Sequence, residues 1–151
     1  MNLSEYLLEK NAFTLKADLS SWEEAVQECT NILEHLGAAE PRYYDEIIKE
    51  TKEIGFYFLI GPGIAMPHAR PECGALNDGF ALVTLKSPVP LGDEEADLFL
   101  AFSATSAEVQ NTKMILQIAT LLSTDSVDKI REAKNTAELR EALMQVSYEE
   151  E

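Results

Sequence analysis

Apolar residues recur in this chain with two different periods, and the switch between them constrains the fold more than any other feature. Trp22, Val26, Cys29, Leu33 and Leu36 fall at helical spacing behind Ser20-Ser21 and Glu23-Glu24, a capping-box pattern. Gly37 supplies the stop. Pro41 fits the first turn of a second helix, with Tyr44, Ile47, Ile48 and Thr51 on its inner face and Gly55 at its end. The pattern then changes. Phe56 to Ile60 is short, aromatic and β-branched, as a buried strand would be, and Gly61-Pro62-Gly63 breaks it. Ile64 to Met66, Phe80 to Leu85 (followed by Ser87-Pro88) and Asp97 to Phe102 are further strand candidates.

Residues 3–9 suggest a short helix, and Phe13, Leu15 and Ala17 alternate with polar residues as in a strand. The last third returns to helical spacing. Ile115, Leu116, Ala119 and Leu122 make one stripe, Val127 and Ile130 a second, and Leu139, Leu143 and Val146 a third that Thr136 could cap. Helices thus precede, separate and follow the strands. This predicts an α/β fold, a sheet of four to five strands flanked by helices. The later strands are joined by loops too short for helices, so the sheet should be mixed. The whole span, residues 1–151, is expected to form a single domain.

Charge excludes whole classes of partner. There are 27 acids against 12 bases, a net charge of −15. Nucleic-acid binding depends on Lys and Arg contacts to phosphate, so nucleic acid is excluded. An anionic membrane surface is disfavoured for the same reason, whereas a basic protein partner would suit. No apolar run approaches the ~20 residues of a membrane helix, and Met1 to Lys10 has no signal-peptide core. Direct membrane insertion is therefore not expected, and a cytoplasmic location is. Glu149-Glu150-Glu151 reads as a frayed tail.

The two histidines sit in different settings. His35 lies on a helix flank between Leu33 and Leu36 and reads as a boundary side chain. His68 follows Gly61-Pro62-Gly63-Ile64-Ala65-Met66-Pro67. Pro67 fixes its own φ and pushes Met66 towards extended geometry, so the imidazole should project from a stiff strand end. Arg70 follows, and Pro71 stiffens the exit. A neutral imidazole with a guanidinium nearby suits phosphoryl chemistry, which needs mainly positioning and electrostatics. The same residues also fit an ordered-loop histidine bonded to backbone. Cys29 lies on the apolar face of a helix, as core filling. Cys73 lies close to His68, but no third group in the spacing would orient a Cys/His pair. Cys29 with His35, or His68 with Cys73, lacks a complete set of zinc ligands, so no metal is expected. Gly61-Pro62-Gly63 continues into neither a dinucleotide fingerprint nor a P-loop.

From Gly61 to Gly74 the chain reads GPGIAMPHARPECG. This resembles the phosphohistidine signature of the mannitol/fructose-type enzyme IIA superfamily, whose core is Gly63-Ile64-Ala65-Met66-Pro67-His68 here. The flanks of that core, with Glu40-Pro41-Arg42-Tyr43-Tyr44 and Gly79-Phe80-Ala81-Leu82-Val83-Thr84-Leu85-Lys86, resemble the L-ascorbate-type branch. The resemblance runs from about residue 4 to residue 146. It implies a mannitol-type enzyme IIA fold and a phosphotransferase component, a phosphohistidine carrier. His68 would accept phosphate from HPr and pass it to a cysteine of enzyme IIB. The membrane component IIC would transport the sugar, with no cofactor needed on this chain.

The family carries a second active-site histidine at the start of the helix after the last core strand. Here that helix begins Glu108-Val109-Gln110-Asn111-Thr112, which places Gln110, or Asn111 if the register slips by one, at that position. An amide can donate a hydrogen bond to a phosphate oxygen but carries no charge. Three readings compete. The intact signature favours a transport phosphocarrier. The missing histidine favours a regulatory module of the same fold, whose phosphorylation state switches binding to a target protein. A purely structural relative is the third.

Overall fold

The computed structural model describes residues 1–148, so the tail Glu149-Glu150-Glu151 lies outside the described residues. In chain order the elements are α1 (Leu3–Glu9), β1 (Phe13–Ala17), α2 (Trp22–His35), α3 (Arg42–Ile54), β2 (Leu59–Gly61) and β3 (Gly63–Ala65). A 3-10 turn (Pro71–Cys73), β4 (Gly79–Leu91) and β5 (Glu94–Ser103) follow. The chain ends with α4 (Ala107–Val109), a π-helical turn (Gln110–Met114), α5 (Ile115–Leu122), α6 (Ser126–Glu132) and α7 (Thr136–Leu143).

The sheet is mixed and five-stranded, in the order β1-β4-β5-β3-β2. Its centre is the antiparallel hairpin β4–β5, with Phe80 opposite Phe102 and Val83 opposite Phe99. β1 runs parallel to β4, and β3 runs parallel to β5. Successive side chains of a strand face opposite ways. Phe80, Leu82, Leu98, Leu100 and Phe102 accordingly pack into one apolar layer with residues of α1, α5, α6 and α7. Ala81, Val83, Leu85, Phe99 and Ala101 pack into the other layer with α2 and α3. Burial on both faces explains why these strands read as continuous apolar runs.

The structure also corrects details of the sequence reading. Only Leu59 and Ile60 of the Phe56–Ile60 run enter a strand, β2. Phe56 and Phe58 pack instead against Trp22, the Trp22 and Phe56 rings meeting edge to face at 5.2 Å. β4 continues through Ser87-Pro88, because the register with β5 slips between Thr84 and Val89 and a bulge accommodates proline. Tyr43 is the fully buried tyrosine of α3, and Tyr44 is only half-buried. The inner stripe of the late helix is Met114, Ile118 and Leu121, while Leu116 and Ala119 face outward. The intervening π turn rotates the helix face, which a strict helical count does not anticipate. Asn135, not Thr136, caps α7, accepting from the Glu138 amide at 2.9 Å.

Candidate functional site

The site forms where β3 ends beside β5. Met66 continues the pairing with the preceding segment, its amide donating to Phe58 O at 2.7 Å. On the other side the Phe102 amide donates to Pro67 O at 3.3 Å. Pro67 has no N–H to contribute to a ladder, so it ends the strand and turns the chain outward.

His68 then folds back on that turn. Its Nδ1 lies 2.8 Å from Met66 O. A carbonyl only accepts, so Nδ1 carries the proton and Nε2 keeps a free lone pair. The imidazole stacks on the Phe102 ring, with centroids 4.7 Å apart and planes 16° apart. The Tyr57 ring meets it edge-on at 5.5 Å. Burial between these rings lowers the imidazole pKa below its ordinary value. The Met66 carbonyl and the Glu50 carboxylate offset part of that effect. The ring is therefore neutral near pH 7, in the form that can attack an electrophile.

The His68–Ala69 peptide bond is held at both ends. Tyr57 donates its hydroxyl proton to the carbonyl oxygen of His68. The Ala69 amide donates to the Tyr43 hydroxyl at 3.0 Å, and Tyr43 donates in turn to Phe102 O at 2.8 Å. Burial pushes both phenols well above the ordinary tyrosine range, so both stay protonated.

The other sequence candidates are less tightly placed. Arg70 is largely exposed, with its guanidinium 4.0 Å from the Glu72 carboxylate, and it forms no hydrogen bond with the imidazole. Gln110 opens the π turn on the helix that follows β5. Its Oε1 is buried and, among the described residues, has no hydrogen-bond partner. Asn111 is exposed, so of the two amides Gln110 is the one with an inward-facing polar atom. Cys73 closes the short 3-10 turn, and burial followed by the nearby Glu46 raises its thiol pKa, which disfavours the thiolate. Cys29 is fully buried in the α2–α3 layer, and His35 sits exposed at the end of α2.

Beside Met66 lies an apolar groove of about 400 Å³, lined by Ile60, Ile115, Ala119 and Leu122 among others. Sequence reasoning did not single out Tyr43, Tyr57 or Phe102. Tyr57 and Phe102 read as strand aromatics and Tyr43 falls outside the inner face expected of its helix, so only the pairing of chain segments distant in sequence shows their polar or stacking roles. Among the described residues, no helix is long and apolar enough to cross a membrane.

Residues 6–146 match the family described as "Phosphoenolpyruvate-dependent sugar phosphotransferase system, EIIA 2". A relative named "Ascorbate-specific PTS system EIIA component", from Salmonella choleraesuis (strain SC-B67), is 35% identical over 147 residues. That match covers 95% of this chain and 96% of the relative. Among solved structures, the PTS IIA protein PtxA from Streptococcus mutans superposes with a TM-score of 0.90 at 37% identity, covering 96% of this chain and 94% of its own. The mannitol-specific cryptic phosphotransferase enzyme IIA CmtB from Escherichia coli gives 0.83 at 29% identity, covering 96% and 99%.

Proposed function

This chain belongs to the EIIA 2 family of the phosphoenolpyruvate-dependent sugar phosphotransferase system, and from that premise we propose that it is a single-domain, cytoplasmic phosphocarrier that takes a phosphoryl group onto Nε2 of His68 and hands it on. The observation that carries this reading is the Nδ1···Met66 O contact of 2.8 Å, which leaves Nε2 as the free nucleophile of a neutral ring.

The donor would be the phosphohistidine of HPr. The Nε2 lone pair attacks phosphorus, and the donor's P–N bond breaks with its electrons returning to the donor imidazole. His68 then carries the phosphoryl group on a cationic ring. The Nδ1–H bond to Met66 O strengthens as that charge develops, and the Phe102 face beneath the ring attracts it. The low basicity conferred by burial keeps the P–N bond labile, so the group can leave. In the second step a cysteine thiolate of enzyme IIB attacks phosphorus, and the P–Nε2 bond breaks. Arg70, exposed and only loosely paired with Glu72, would swing onto the phosphoryl oxygens of the docked complex. Gln110 would offer an uncharged amide donor where the family has a second histidine. The groove beside Met66 gives a partner an apolar foothold, and the net charge of −15 suits a basic one. The names of the curated relatives support L-ascorbate as the sugar, moved by a membrane IIC component that this chain does not touch.

The test is phosphoryl transfer followed by intact mass, with enzyme I, HPr and phosphoenolpyruvate, beside His68→Ala. Wild type should gain one acid-labile phosphoryl group and His68→Ala none. Phosphorylated HPr with an unmodified wild-type chain would overturn the carrier reading. The uncharged Gln110 favours a second reading, a regulatory module whose phosphorylated His68 changes affinity for a protein target. Efficient passage of the phosphoryl group to IIB separates the two.

A further inference from the structure

We propose that Tyr57 and Tyr43 are positioning residues for the phosphoryl transfer, two hydroxyls that grip the single peptide unit between His68 and Ala69 and so fix where Nε2 points. This deepens the carrier reading of His68 and rests on it.

The geometry is reciprocal. The carbonyl of that peptide accepts from Tyr57, which arrives from the segment between α3 and β2. The amide of the same peptide donates to Tyr43, which arrives from α3 at 3.0 Å. One hydroxyl donates and the other accepts, so each polar group of the unit has a partner of the right sense. Neither phenol can exchange that role by ionising, because burial keeps both protonated.

Tyr43 does a second thing. Its own proton goes to the carbonyl of Phe102 at 2.8 Å, and Phe102 supplies the ring on which the imidazole stacks. A single hydroxyl therefore ties the histidine's backbone to its platform. Tyr57 does likewise by a different route, because its ring also meets the imidazole edge-on at 5.5 Å. With the backbone held, the ring stacked on Phe102 and met edge-on by Tyr57, and Nδ1 anchored on Met66 O, the imidazole has little freedom left. A short loop between two strands would not supply this rigidity by itself. Both tyrosines lie outside the Pro-His signature in sequence.

A misplacement of the nucleophile by about 1 Å can cost on the order of 100-fold in rate. The test compares wild type, Tyr57→Phe and Tyr43→Phe in single-turnover transfer from phospho-HPr. It also uses 15N NMR of the unphosphorylated imidazole and thermal melts. For Tyr57→Phe the saturating rate should fall by roughly 10- to 100-fold, with the concentration dependence on phospho-HPr little changed. Its 15N shifts should move from a single Nδ1–H tautomer towards an average. Tyr43→Phe should show the same signature together with a lower Tm, since it leaves the Ala69 amide and the Phe102 carbonyl without their partner. If Tyr43→Phe does not fold, Tyr57→Phe decides alone. A merely structural role would lower Tm and leave rate and tautomer untouched. An unaltered saturating rate, or an unaltered 15N signature, in Tyr57→Phe overturns the proposal. Failure of wild type to accept phosphate would overturn the carrier reading instead, and the NMR arm would still decide the clamp.

Discussion

The two stretches assigned here to the phosphoryl group are built on opposite plans. Around His68 the turn is tied down at several points: Nδ1 by Met66, the following carbonyl by Tyr57, the following amide by Tyr43, and the ring by stacking on Phe102 and an edge-on contact with Tyr57. Around Gln110 the helix is under-satisfied. It passes through a π turn, its neighbour Asn111 is exposed, and the Gln110 Oε1 is buried without a partner among the described residues. A buried acceptor left unpaired costs about 1–3 kcal/mol, so that side chain gains by any rearrangement that brings it a donor. The difference fits a carrier. The nucleophile must not move, whereas the wall meeting the phosphoryl group must accept a ligand that comes and goes.

Within the loose side, Gln110 should carry the larger effect. Gln110→His restores a side chain that can carry positive charge, and charge-assisted hydrogen bonds are about twice as strong as neutral ones. The expected outcome is transfer from phospho-HPr faster by about tenfold, read by rapid quench, since the added stabilisation is on the order of 1 kcal/mol. A rate unchanged or lowered in a folded Gln110→His would mean that this helix does not face the phosphoryl group. Arg70→Ala should have a smaller effect. The guanidinium is exposed and loosely paired, so its loss should slow transfer by about threefold at low salt and by less at high salt. Equal losses at both salt concentrations would show that Arg70 acts by direct contact within a water-excluded site.

Much of this was legible in the sequence, and what was not has physical causes. The mixed sheet follows from short apolar runs that lack helices between them, and the structure adds the strand order and moves the bounds of β2 and β4. The stiffness at His68 was visible in Pro67 and the glycines before it, because proline acts through local sterics. Tyr43 and Tyr57 were not legible as site residues. Tyr57 in an apolar run looks like packing, Tyr43 falls outside the inner face expected of its helix, and the hydroxyl partners are fixed only once α3 and the segment before β2 close over β3. The Phe56–Phe58 run misled for a related reason. Aromatic residues suit strands in general, yet here tertiary packing on Trp22 held them outside one. The exposed side of α5 was misread because the π turn shifts the helix face by a step the helical period does not contain.

The smallest effect tests the rigid side through its burial. Enclosure between Phe102 and Tyr57 lowers the His68 pKa in the folded chain, while in the unfolded chain it returns to about 6.5. Between those two values the unfolded chain binds more protons, so stability rises with pH through the window and levels off above about 6.5. Below the folded pKa the penalty is complete. His68→Ala should remove this part of the pH dependence when melts are compared from acid to neutral pH. Transfer follows the same titration, because only neutral imidazole attacks. At pH 6.5 the wild-type rate should therefore stay above half of its plateau, with the acid limb lying below the ordinary imidazole value. An acid limb centred above 6.5 would mean that the carboxylate of Glu50 and the Met66 carbonyl outweigh burial in solution, and that the turn around His68 is wetter and looser than its packing implies.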